Sequence, residues 1–260
     1  MRHLHFLEFE YAIDYELTES VRRHFPLDWS EDAITHDLVI RLRRRFNRTH
    51  LTGMRFPVVL EWEVYKLRGL REQSHGDIGW LFRHGLPSGD VLEGAGFMEA
   101  KLRARDSNKF TQIRKGQVKR ILKRSPETLL LLYDYNAVPV LDSEFVPEPG
   151  YDFGIHRWAS TLITHARVTH GPVVPLQLAA AVGRYDDTLY RFGYSLAQQV
   201  SRRYLHLHDL DFSQSGIADV KGYPGGVGSP NWVMVIRVAQ EGQAVAEGSG
   251  LNQDVYEALE

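Results

Sequence analysis

Two periods of apolar residues organise the first half of the chain. Ile34, Leu38, Leu42 and Phe46 recur every four residues, which is the spacing of one helix face. Ser30 precedes them as an N-cap, and Glu31 and Asp32 fall in the first turn, where the helix dipole favours acids. A helix is therefore predicted from residue 30 to 46. "PVVLEWEVYKL" instead alternates, with Val58, Leu60, Trp62 and Val64 against Val59, Glu61, Glu63 and Tyr65, the period of a strand. "GDIGWLFR" and "GAGFMEAKLRA" read as second and third strands. "SNKFTQIRKGQVKRILKR" reads as a second helix, striped by Phe110, Ile113, Gln117 and Ile121. "ETLLLLYDY" is a short continuous apolar run, the mark of a strand buried on both faces.

The order through residue 135 is helix, three strands, helix, strand. Short links between the three strands predict an antiparallel meander, and the helix before the fourth predicts a parallel crossover. Residues 4–24 mix aromatic and acidic positions without a clear period and read as a strand or a short helix. "VPEPG" at 146–150 reads as a hinge. Beyond it, 158–168 and 187–205 read as helices, the latter striped by Leu189, Phe192, Leu196, Val200 and Tyr204. "KGYPGGVGSP" reads as a loop, and "WVMVIRV" as a late buried strand able to join the same sheet. The expectation is an α/β (α+β) protein: a mixed-sheet core with an N-terminal extension in 1–150, and a mainly helical extension in 151–260 packed on it.

Composition narrows the setting. With 260 residues the chain can bury a sizeable core, and the absence of cysteine excludes disulfides and thiolate metal sites. The opening "MRHLHFLEFEYAIDYE" is charged throughout, unlike a signal peptide, and no run approaches a membrane span. A soluble, cytoplasmic protein is expected. The net charge of −2 conceals an asymmetry. From 101 to 124 the charged residues are Lys101, Arg103, Arg105, Lys109, Arg114, Lys115, Lys119, Arg120, Lys123 and Arg124, against Asp106 alone. Arg41, Arg43, Arg44, Arg45 and Arg48 form a second basic cluster. Two such segments in a nearly neutral chain suggest a local footprint for a polyanion; each taken singly also fits a solvated helix face.

Chemistry concentrates in "FMEAKLR", residues 97–103. Strand alternation puts Glu99 and Lys101 on one face and Met98, Ala100 and Leu102 on the other. Asp77 opens the preceding strand. Were those strands paired, Asp77 and Glu99 could share one hard cation, and Mg²⁺ takes one or two carboxylates with waters and phosphate oxygens. Lys101 could then hold a phosphate oxygen or orient the attacking water.

Asp77 followed by Glu99-Ala100-Lys101 on the next strand, within helix–three strands–helix–strand, resembles the PD-(D/E)xK nuclease superfamily over about residues 28–136. Gly76 stands where the motif's name has proline. The resemblance implies a restriction-endonuclease-like core and a Mg²⁺-dependent nuclease, with Mn²⁺ able to substitute. It implies DNA in preference to RNA as substrate, cut by a restriction, defence or repair and recombination endonuclease able to act as a homodimer or higher oligomer. Asp77, Glu99 and the Ala100 carbonyl would ligate the metal, and Lys101 would act on water or phosphate. A third acid is implied on the first helix, with Glu31 preferred over Asp37 and the strand residue Glu63, and a polar residue on the second, Gln117. Lys109, Arg114, Lys115, Lys119 and Arg120 would meet phosphates. The competing reading is a nuclease-like nucleic-acid-binding or structural subunit without turnover.

Other features are weaker. His3/His5 and His206/His208 are pairs that twelve histidines make commonplace. "YPGGVG" lacks the preceding strand and following lysine of a P-loop. Trp62 and Trp80, both in strands, read as core.

Overall fold

The structure, a computed structural model, describes residues 1–69, 76–111, 115–140, 168–223 and 229–259. Gln112, Ile113, Arg114, the hinge at 146–150, nearly all of the helix expected at 158–168 and part of the glycine-rich loop lie outside the described residues, as does the side chain of Lys115.

The chain opens with β1 (Arg2–His5) and α1 (Phe6–His24). His5 caps this helix: its Nδ1 accepts from Leu7 N–H, and Glu8 accepts from His5 N–H at 2.9 Å, a reciprocal arrangement that satisfies otherwise orphaned donors. Its ten buried residues include Leu7, Glu10, Glu16 and Ser20 beside Phe9, Ile13, Leu17 and Val21. Burial on more than one side is why no single stripe stands out in its sequence. α2 (Glu31–Phe46) follows, capped by Ser30 Oγ on Ala33 N–H, with Ile34, Leu38, Leu42 and Phe46 all in the core.

The strands β2 (Arg48–Thr52), β3 (Val58–Leu67), β4 (Ile78–Gly85) and β5 (Val91–Leu102) precede α3 (Lys115–Arg124), β6 (Leu129–Tyr133) and β7 (Val138–Pro139). Then come β8 (Val168–Thr169), β9 (Pro172–Pro175), a helix (Leu176–Val182), a 3-10 turn (Asp187–Phe192) and β10 (Tyr194–Ser195). A helical turn at Leu196–Gln198 passes into a π turn (Gln199–Arg203) and a 3-10 turn (Tyr204–His206); a further helix (Gln214–Lys221), β11 (Trp232–Gln240) and β12 (Tyr256–Ala258) complete the chain. Among the described residues ten strands form one mixed sheet, β1-β2-β3-β11-β4-β5-β6-β9-β10, with β12 on β3, while β7 and β8 pair separately. The protein is thus mixed α/β with one large sheet. Among the described residues no helix is long and apolar enough to cross a membrane.

Four expectations need correction. The meander does not form, because β11 lies between β3 and β4, antiparallel to the first (Val64↔Met234) and parallel to the second (Ile78↔Trp232). Periodicity reports which face a residue takes, and β3, β4 and β11 are each apolar enough to be central; their neighbours follow from long-range pairing. By the same token the described residues beyond 150 are not mainly helical: they supply the central strand and both sheets' later strands. The second helix does not extend back to residue 107: its described residues are Lys115–Arg124, and Asp106-Ser107-Asn108 forms a turn. Lys109 and Phe110 are extended instead, bridged to Asp186 and Arg103, with the Phe110 ring against Tyr190. The helix expected over 187–205 is interrupted at Gly193, where a Cβ would meet Val174 at 3.1 Å and the Val173 carbonyl at 3.2 Å. Leu189, Leu196, Val200 and Tyr204 are buried even so, and Phe192 is exposed.

β5 and β6 run parallel, with Glu99 beside Leu130 and Lys101 beside Leu132. One face of this part of the sheet is covered by α1 and α2 through Met98, Ala100, Leu129 and Leu131; the other meets α3 through Val118, Ile121, Leu130 and Leu132. The C-terminal end of β5 is where the two layers and the start of α2 converge.

Candidate active site

Asp77 sits at the mouth of β4. Its N–H donates to the Met98 carbonyl at 2.9 Å, and its own carbonyl accepts from Trp232 N–H at 3.0 Å. Gly76 makes this entry possible: its φ is +95°, and a Cβ there would lie 2.6 Å from the Met98 carbonyl oxygen. So held, Asp77 Oδ2 accepts from the Ala100 N–H at 2.9 Å, just beyond the last β4–β5 pair.

Glu99 and Lys101 are 2% and 7% exposed, far below the norm for ionic side chains. Lys101 Nζ lies 2.9 Å from Glu99 Oε1 and 3.0 Å from Glu31 Oε2, bridging strand and helix. Gln117 Nε2 on α3 donates to Glu99 Oε1 at 3.0 Å. Glu99 Oε2 is buried with no hydrogen-bond partner among the described residues. Glu31, in the first turn of α2, accepts on Oε1 from the Thr111 hydroxyl at 2.6 Å and from Leu102 N–H at 3.3 Å. Beneath them the Tyr133 hydroxyl is buried against Thr35 Oγ1 at 2.9 Å.

The electrostatics follow from burial and imbalance. Asp77, Glu99 and Glu31 face one ammonium. Burial first, and then the Glu99 charge, push Asp77 up to about 8, against the opposing pull of Lys101 and the Ala100 N–H. Burial likewise raises Glu99 despite Lys101. Burial alone would lower Lys101, but Glu99, Asp77 and Glu31 outweigh it and hold the amine above its usual value, firmly protonated.

Does this set suit a divalent ion? Among the described residues no group of three or more histidine, aspartate and glutamate side chains is gathered to cage one. Mg²⁺ needs less: one or two carboxylates, the rest being water and substrate oxygens. Asp77 and Glu99 meet that requirement, with an orphaned carboxylate oxygen and an excess of negative charge. Glu31 is engaged by Lys101, Thr111 and Leu102 and serves as their anchor.

The rivals to Glu31 lie elsewhere: Asp37 pairs with Arg41 at 2.6 Å, and Glu63 accepts from Tyr65 at 2.7 Å and from Arg237. Ala100 packs its side chain in the core. Of the basic run, Lys101 and Arg103 turn inward, Arg103 onto the fully buried Asp134 at 2.7 Å, whereas Lys109, Lys119 and Arg120 are exposed. In the upstream cluster Arg41 reaches Asp37 and Glu16, and Arg48 reaches Glu61. Trp62 and Trp80 are core residues, edge to face at 6.3 Å. Thr111, which carries no local sequence signal, was missed; it acts only because the 103–110 turn returns it to Leu102.

Compared with known proteins, the chain matches no family model, no curated protein and no solved structure.

Proposed function

We propose that the protein is a metal-dependent nuclease with a restriction-endonuclease-like core, hydrolysing phosphodiester bonds of DNA in restriction, defence, or repair and recombination. The observation that carries this reading is the charge-unbalanced cluster of Asp77, Glu99, Lys101 and Glu31 at one strand end, with Glu99 and Lys101 buried and one Glu99 oxygen without a partner among the described residues. Asp77 and Glu99, with the Ala100 carbonyl, would hold Mg²⁺ or Mn²⁺. Such an ion, once bound, neutralises phosphate charge and acidifies water. Lys101, kept protonated by its three carboxylates, cannot take a proton; it donates to a phosphate oxygen or to the attacking water. Gln117 fixes Glu99 Oε1, leaving Oε2 for the cation. Glu31 aims Lys101, and Thr111 aims Glu31. Lys109, Lys119 and Arg120, with Arg114 and Lys115, contact backbone phosphates, which gives salt-sensitive binding with little sequence information.

A second reading, a nucleic-acid-binding or structural subunit without turnover, is favoured by one detail: the Lys101 ammonium already bridges Glu99 and Glu31 as a cation would. Circular and linear DNA incubated with and without Mg²⁺ or Mn²⁺, beside calorimetric metal titration, decides between them. Metal-dependent cleavage lost in Glu99→Gln supports the nuclease. DNA binding with neither cleavage nor metal heat establishes the subunit.

A further inference from the structure

A different chemistry appears at one edge of the sheet, away from the interior strands β4 and β5. β1 is its terminal strand, and the parallel register with β2 sets His3 directly opposite His50. Their neighbours Leu4 and Leu51 turn to the core, so the two imidazoles share the other face. The rings meet edge to face with centroids 4.9 Å apart and Nδ1 to Nδ1 at 3.0 Å. Two ring nitrogens at that distance hold a single proton between two lone pairs. His50 is 7% exposed, and its Nε2 is buried without an aligned hydrogen-bond partner among the described residues, although Glu241 Oε1 stands 3.2 Å away. His3 is exposed, so the pair opens to solvent on one side.

We propose that His3 and His50 form a surface site for a borderline-soft transition ion such as Zn²⁺, bound through the two Nδ1 atoms, with Glu241 supporting His50 from its other nitrogen. Imidazole–zinc bonds of roughly 2.0–2.1 Å at a tetrahedral angle put two nitrogens roughly 3.3 Å apart, so a small rotation of the exposed His3 ring converts the present contact into a ligand pair. The ion takes the place of the shared proton, which leaves to solvent, and waters fill the remaining positions. A carboxylate on the far nitrogen of a ligating histidine fixes its tautomer and raises its basicity, which gives the buried Nε2–H its partner. Imidazole donors select Zn²⁺, Ni²⁺ or Cu²⁺ and disfavour Mg²⁺, so this site and the carboxylate cluster sort ions by chemistry. Ligation would join the edge strand to β2 and to the segment after β11, three stretches distant in sequence.

Titration of ZnCl₂ into the full chain near neutral pH, followed by calorimetry and by thermal melting, tests this. The Glu99→Gln background removes the carboxylate cluster as a competitor. One saturable equivalent is expected, with a rise in Tm that Mg²⁺ does not reproduce. His3→Gln, a change at an exposed position, should abolish that equivalent without lowering the Tm measured in EDTA. Glu241→Gln should weaken it at least ~10-fold. Absence of a saturable equivalent in the parent, or one that survives His3→Gln unchanged, overturns the proposal.

Discussion

Glu10 on α1 and Glu99 on β5 are carboxylates equally sealed from water, at 1% and 2% exposure, in quite different company. Glu10 meets one guanidinium in a two-pronged pair, Oε2 to Arg202 Nε at 2.7 Å and Oε1 to Nη2 at 3.1 Å, with the Ser201 hydroxyl adding 3.0 Å. Both carboxylate oxygens are satisfied there. Glu99 shares one oxygen between Gln117 and Lys101, leaves the other unpartnered, and lies among two further acids. A buried carboxylate with both oxygens satisfied joins two helical segments. An unbalanced one keeps the capacity for another cation, and perturbed, unsatisfied carboxylates are what metal and catalytic sites contain.

Cleavage separates the two most sharply. Asp77→Asn and Glu99→Gln should each lower Mg²⁺-dependent DNA cleavage by at least ~100-fold with the fold intact, while Glu10→Gln should leave cleavage per folded molecule unchanged. Retained cleavage in Glu99→Gln would make the two glutamates equivalent after all.

Stability should divide them in the opposite sense. Glu10→Ala removes both prongs of the Arg202 contact and the acceptor of the Ser201 hydroxyl, and is expected to cost about 3 kcal/mol in urea unfolding. Glu99→Gln removes a charge that burial disfavours and should cost far less.

The pH dependence of the metal-free protein follows from Asp77. Its folded value of about 8 lies above the unfolded 3.8, so between them the folded state binds more protons and stability falls as pH rises. Stability from this group is complete below the lower value and gone above the higher. In Asp77→Asn that decline between about pH 4 and 8 should be shallower in the melting curves, with the raised Glu99 supplying what remains, and Mg²⁺ should stabilise the parent most at the alkaline end.

Thr111→Val tests the support of the cluster. Losing its 2.6 Å hydrogen bond to Glu31 should lower kcat about 10-fold with KM little changed, and Thr111→Ser should restore it. The smallest effect belongs to the surface: Lys119→Ala should reduce the salt slope of DNA affinity by about one unit, equally for all sequences. An unchanged slope moves the footprint to the arginines at 41–48.

Local periodicity carried a good deal of this molecule. α2 with its Ser30 cap, the alternation of β3, and the doubly buried β6 were readable because each is a statement about one segment's own faces. So was the placement of Glu99 and Lys101 on the face opposite Met98 and Ala100, since a strand allows no other alternation. α1 was not readable, because a helix covered on several sides by apolar and paired polar residues shows no stripe. Neither was the position of β11, since any central strand of similar composition could neighbour β3 or β4 until backbone pairing across the whole chain selects one arrangement. The choice of Glu31 over Asp37 and Glu63, the return of Thr111 to Leu102, and the meeting of His3 with His50 have the same origin. Each depends on register and layer contacts between residues tens of positions apart, and no window of sequence contains the distance between them.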